Sequence, residues 1–140
     1  MNAIFDSFPW HDAELKELLV DRRESGKRDV VQLLVAWPQG GESMFVFHDC
    51  YAMTANMNFG IVATERIGNA SLITDDQDLS SIRERWRPHS VSLEELRCYR
   101  FEMSSTGSDI RVYAQRFDVV SIDNQGHTAP DKANGNLSQR

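Results

Sequence analysis

Apolar and polar residues alternate in steps of two along much of this chain. Between positions 53 and 59, Met53, Ala55, Met57 and Phe59 alternate with Thr54, Asn56 and Asn58. Tyr99, Phe101 and Met103 alternate with Arg100 and Glu102. Successive side chains of a strand point to opposite faces, so each run makes one apolar and one polar face. Runs of this kind joined by short turns predict an antiparallel sheet with one solvated side.

Other segments extend the pattern. Val30 to Trp37 is short, β-branched and nearly all apolar, which predicts a buried strand. Before it, Glu24-Ser25-Gly26-Lys27 reads as a polar turn. Residues 13–22 are rich in helix formers, with Asp12 placed to cap a helix. The turn that follows needs a strand partner, however, so 13–22 is assigned to a strand. Pro38-Gln39-Gly40-Gly41 breaks the chain, Met44–His48 is the next strand, and Asp49-Cys50 is expected to turn. Tyr51–Phe59 alternates, Gly60 marks a bend, Ile61–Ile67 continues as extended chain, and Gly68-Asn69 is expected to end it. Leu96–Met103 and Ile110–Ile122 form a hairpin around the polar loop Ser104–Asp109.

One helix is signalled. Thr74, Asp75, Asp76 and Asp78 offer caps. Leu79, Ile82 and Trp86 share a face, Arg83, Arg85 and Arg87 suit the C-terminal end, and Pro88 stops the run. The fold class that follows is α+β: a twisted antiparallel sheet of about six or seven strands, able to curl toward a half-barrel, with one main helix laying Trp86 on it. Residues 1–123 are assigned to this single domain. Residues 124–140 hold one large apolar residue, Leu137, and their composition predicts a disordered tail.

Composition changes this picture little. A length of 140 residues suits one core that needs neither metal nor disulfide support. The net charge of -6 makes nucleic acid an improbable main partner, because that binding draws on basic groups meeting phosphate. An acidic balance would suit a basic partner, although charge also keeps a protein dispersed. Two cysteines, no basic residue before Lys16 and no apolar run near the ~20 residues of a membrane helix predict a cytoplasmic chain without a membrane role.

Candidate chemistry is sparse. Two His-Asp dipeptides, His11-Asp12 and His48-Asp49, pair an imidazole with a carboxylate, the combination used in base catalysis and metal binding. Neighbours in a strand point apart, so cross-pairing of His11 with Asp49, or His48 with Asp12, is the arrangement that would build a site. Turn and strand-end chemistry explains the same residues without any reaction. Cys50 lies two residues from His48, but no nucleophile signature surrounds it, and Cys98 sits among strand residues; both read as inert thiols. The spacings give no zinc ligand set, no phosphate loop and no dinucleotide fingerprint, so no cofactor and no metal are expected. His127 falls in the tail. Arg22-Arg23, Lys27-Arg28 and Arg83, Arg85 and Arg87 are interleaved with acids and read as solvated faces. The polar row Thr54, Asn56 and Asn58 reads as the wet side of the sheet, with a ligand groove as its alternative.

At Trp10-His11-Asp12-Ala13-Glu14-Leu15 the chain resembles the opening of a group of small uncharacterised bacterial proteins. The resemblance extends to Phe47-His48-Asp49, to Trp86 and its proline, and to the last hairpin with Ser105-Thr106-Gly107 and the Ala114 strand. Some proteins of that kind are classed as immunity proteins of bacterial toxin systems, which neutralise a toxin by binding it. The resemblance implies a strand for residues 13–22, no catalytic residues, and a protein partner in the form of a toxin. The expectation is therefore a non-enzymatic binding protein facing a basic toxin. Two alternatives stand beside it: a metal-dependent or hydrolytic enzyme built from His11, Asp12, His48 and Asp49, and a homo-oligomeric scaffold, simplest as a homodimer, joined through an exposed strand edge.

Overall fold

The computed structural model describes residues 4–122. Six strands form one antiparallel sheet in the order β1-β2-β3-β6-β5-β4: β1 (Glu14–Glu24), β2 (Arg28–Ala36), β3 (Glu42–Asn56), β4 (Ile67–Ile73), β5 (Arg97–Met103) and β6 (Asp109–Ile122). One helix, α1 (Gln77–Trp86), is followed by a short 3-10 turn at Arg87–His89. The strand expected at residues 13–22 is thus present as Glu14–Glu24, against its helix-forming composition. Pairing with Val30–Ala36 across the hairpin decides the conformation there.

The sheet curls until its edges touch. Glu14 and Arg66 make a single bridge, supported by Leu15 N–H donating to Glu65 O at 2.9 Å and Ile67 N–H donating to Ala13 O at 2.7 Å. No ladder continues this contact, so the sheet stays open rather than closing into a barrel. All six strands contribute to the core on the inner face, with Leu15, Leu33, Phe45, Ile67, Phe101 and Val112 among its members. The N-terminal segment fills the hollow. Phe5 packs edge-on against Phe45, Phe101 and Phe117, and Trp10 donates its indole N–H to Phe5 O at 2.8 Å.

A second core lies on the outer face. Leu79 and Ile82 of α1 pack there with Leu93, Leu96, Cys98 and Tyr113. Asp76 caps the helix by accepting from Leu79 N–H at 2.8 Å, which selects one of the four candidate caps. Trp86 meets Tyr51 edge-on at 5.2 Å, so the helix does lay it on the sheet. Arg83 is not simply solvated. Its guanidinium donates to Leu93 O at 3.1 Å and Leu96 O at 3.0 Å, tying the loop after the helix to its flank.

Three local expectations are corrected. Asp49-Cys50 does not reverse the chain; both lie within β3, where Asp49 takes a left-handed φ of 54° and the pairing shifts by one residue between Cys50 and Ala52. A single left-handed residue there makes a bulge and a bend rather than a turn. The strand through Phe59 ends earlier, at Asn56, and 57–66 is a loop. Gly68-Asn69 does not end a strand but lies inside β4. A Cβ on Gly68 would come within 2.9 Å of Ser104 Cβ, so glycine marks a close approach between β4 and the end of β5. Residues 124–140, assigned above to a tail, lie outside the described residues together with His127.

Candidate functional site

The two His-Asp dipeptides occupy different parts of the sheet. His11 lies before β1 with its side chain 80% exposed; Nδ1 is 3.2 Å from Gly68 O and Nε2 is 3.7 Å from Asp12 Oδ2. Asp12 has a left-handed φ of 69° and donates its N–H to Ile67 O at 2.8 Å, which makes it part of the junction between β1 and β4. His48 lies on the outer face of β3 with Nε2 2.9 Å from Asp118 Oδ2 on β6. Asp49 meets Arg116 at 3.5 Å.

The row containing Glu14 passes through Ala36 to Glu42, and His48 lies six residues further along β3, roughly 20 Å at strand rise. Neither His11–Asp49 nor His48–Asp12 forms an ion pair among the described residues. No group of three His, Cys, Asp or Glu gathers as metal ligands among them either.

The thiols are sheltered. Burial pushes Cys50 and Cys98 up to about 11, above the ordinary value of 9.0, so both stay protonated at neutral pH. Cys50 Sγ lies 3.3 Å from Phe47 O, not on His48. The polar row divides. Thr54 and Asn56 pair with Arg111 and Asp109 on β6, in a surface where Arg100 holds Asp109 at 2.8 Å. That guanidinium keeps the Asp109 carboxyl below its usual range. Asn58 instead donates its side-chain amide to Thr106 O at 2.9 Å.

That last bond belongs to an arrangement the sequence did not announce. The loop 57–66 is fastened at both ends to the Ser104–Ser108 hairpin loop. Asn58 N–H donates to Ser108 Oγ at 2.9 Å, the Thr106 hydroxyl donates to Glu65 Oε1 at 2.5 Å, and Arg66 N–H donates to Ser105 Oγ at 2.9 Å. The middle of the loop projects. Phe59 is 85% exposed and Val62 wholly so, with Ile61 about half exposed at 48%. Single exposed apolar residues are ordinary, but three within four positions of one anchored loop form a patch.

Beside this patch runs a groove of about 470 Å³ between the loop and the first residues of β1. Leu15, Leu18, Met57, Phe59 and Ile61 line it, with Glu17 and Glu65 as its acids. Lys16 also lines it but leans to Glu42 at 3.9 Å. Neither Glu17 nor Glu65 is in an ion pair among the described residues.

No family model, curated protein or solved structure matches the chain.

Function therefore has to be read from the geometry. An apolar groove with two unneutralised carboxylates can take an apolar side chain flanked by cations. It presents no nucleophile–base pair. The edge of β1 beyond Glu14 carries Lys16, Glu17, Asp21, Arg22 and Arg23 and is broken by bulges near Lys16 and Arg22–Arg23. Charges and bulges of this kind discourage strand-to-strand pairing, so side chains rather than backbone offer the contact here.

Proposed function

We propose that this chain is a non-catalytic protein-binding domain that receives a basic partner at the groove between the 57–66 loop and β1. The observation that carries the proposal is the exposed Phe59–Ile61–Val62 patch, held in place from both ends and set beside two carboxylates that have no cation partner among the described residues. An isolated apolar loop would gain by folding back on the sheet; one tethered outward keeps its surface for another molecule. Glu17 and Glu65, with a chain charge of -6, favour a cationic surface and speed its approach. The resemblance at Trp10–Leu15 gives this role a biological form, an immunity protein that blocks a toxin by covering it.

Affinity capture from the native host tests it. The wild-type chain should recover one basic protein. Phe59→Ser should weaken that complex roughly 10- to 150-fold, the value of burying one phenylalanine. Glu17→Lys should weaken it further as salt is lowered, because like charges then repel less screened. Equal recovery by both variants, or no basic protein at all, would count against the proposal.

A further inference from the structure

Strands β2 and β3 diverge at the bulge. Their pairing stops at Val31 and Phe47, although β2 starts earlier, at Arg28, and β3 runs on to Asn56. The left-handed Asp49 and the register shift between Cys50 and Ala52 bend β3 away from the β1–β2 hairpin. A cleft opens there in two adjoining parts. Val20, Val31, Ala52 and Met53 wall one part, of about 250 Å³. Lys27, Asp49, Trp86 and Val91 wall the other, of about 460 Å³. Arg22, Asp29, Cys50 and Tyr51 border both. This is the scale of a small-molecule site rather than of a protein interface.

The charges in the cleft leave one cation over. Arg22 Nε lies 2.7 Å from Asp29 Oδ1, and Asp49 Oδ2 lies 3.5 Å from Arg116 Nε. Lys27 has no carboxylate partner among the described residues. Neutral donors stand beside it. Trp10 and Trp37 each donate the indole N–H to a protein oxygen, whereas that of Trp86 has no acceptor among the described residues. The Tyr51 hydroxyl, which borders both parts, has no partner among them either. The cleft is therefore apolar at one end, and singly positive and rich in donors at the other. The groove by the 57–66 loop has the opposite sign, with Glu17 and Glu65 as its uncompensated charges.

We propose that this cleft binds a small monocarboxylate with an unbranched apolar tail. The carboxylate lies against the Lys27 ammonium, with the Trp86 N–H and the Tyr51 hydroxyl as further donors. The tail lies beyond Tyr51, among Val20, Val31 and Met53. The charge count selects the ligand. A cation would meet Lys27 and Arg22, and a neutral molecule would leave Lys27 unmatched. A dianion would set its second charge beside Asp29 and Asp49 in a chain of charge -6. The site does not depend on the groove or on the partner proposed for it.

Titration of the isotope-labelled full chain with octanoate, up to about 5 mM and followed by amide NMR shifts, tests the proposal. Shifts should saturate and gather at Val20, Val31 and Tyr51–Met53, sparing Phe59 and Ile61. Hexanoate should bind roughly 5- to 15-fold more weakly, since each methylene withdrawn from water is worth up to about fourfold. Octylammonium should leave the cleft residues unshifted. Lys27→Glu, an exposed turn substitution, should weaken octanoate roughly 2- to 30-fold by replacing an ion pair with a repulsion, with an unchanged circular dichroism spectrum. Phe59→Ser should bind octanoate as the wild type does. No shift at the cleft, equal binding of hexanoate, equal binding of octylammonium or undiminished binding by Lys27→Glu would each overturn the proposal and leave the groove as it stands. Loss of octanoate binding in Phe59→Ser would overturn it by moving the ligand to the loop.

Discussion

Cys98 shows at the scale of one residue what the surroundings do to chemistry. Its thiol lies fully buried between sheet and helix, and burial holds its proton. Cys50 is less enclosed yet raised to the same value of about 11. Relative to an ordinary thiol near 9, each has roughly a hundredth of the thiolate at pH 8. Both cysteines should therefore react with a disulfide reagent roughly 100-fold more slowly than a free cysteine, and rates near that of a free thiol would contradict the burial. The sign for stability follows. A folded-state value above the unfolded one favours the folded chain below pH 9, and that share is lost as pH rises from about 9 to about 11. Burial raises Tyr99 and Tyr113 as well, so the same alkaline window should show a falling urea midpoint. The inert thiols were legible in the sequence, since no activating signature surrounds them. The partners of His48 and Asp49 were not, because Asp118 and Arg116 lie some seventy residues away and only the register of β3 on β6 brings them close.

At the scale of elements, α1 was the easiest to read and β4 the hardest. Capping acids, an apolar stripe and a proline all agreed on the helix, and local signals of that kind survive folding. The choice among four caps was not local. Asp76 alone accepts from Leu79 N–H, so Asp76→Ala should cost about 1 kcal/mol by urea denaturation, and Asp75→Ala much less. Similar losses at both positions would show that charge near the helix end, not the cap bond, matters. β4 was hidden because Gly68-Asn69 looks like a terminator. Glycine is used there for closeness, with Ser104 packed where a side chain would stand. The alternation through Phe59 misled in the opposite direction: Met57 turns into the groove while Phe59 projects, and neither is part of a strand. Periodicity records which residues are apolar, not whether a neighbouring strand is present to bury them. The groove was illegible for the same reason, since it joins residues 15–18 to residues 57–65 through contacts that no short motif encodes.

For the whole molecule, the sheet is covered unequally. Its inner face is closed by the N-terminal segment, and its outer face is half closed by α1. The N-terminal segment is accordingly part of the core rather than a lid. Phe5→Ala should cost about 3–5 kcal/mol in thermal or chemical unfolding, and a loss under 1 kcal/mol would mean the segment is expendable. Where cover is missing, the groove and the outer face of β1, β2 and the first half of β3 remain, and Glu17 borders both. Among the described residues no helix is long and apolar enough to cross a membrane. The proposed recognition of a basic partner rests on the groove.

Hydrogen–deuterium exchange of the chain, alone and with the basic protein it captures, tests that central claim most directly. Slowed exchange should map to the 57–66 loop and to the β1 residues that face it, near Leu15–Leu18. Protection that spares this region and gathers instead around His11 or His48 would contradict the account.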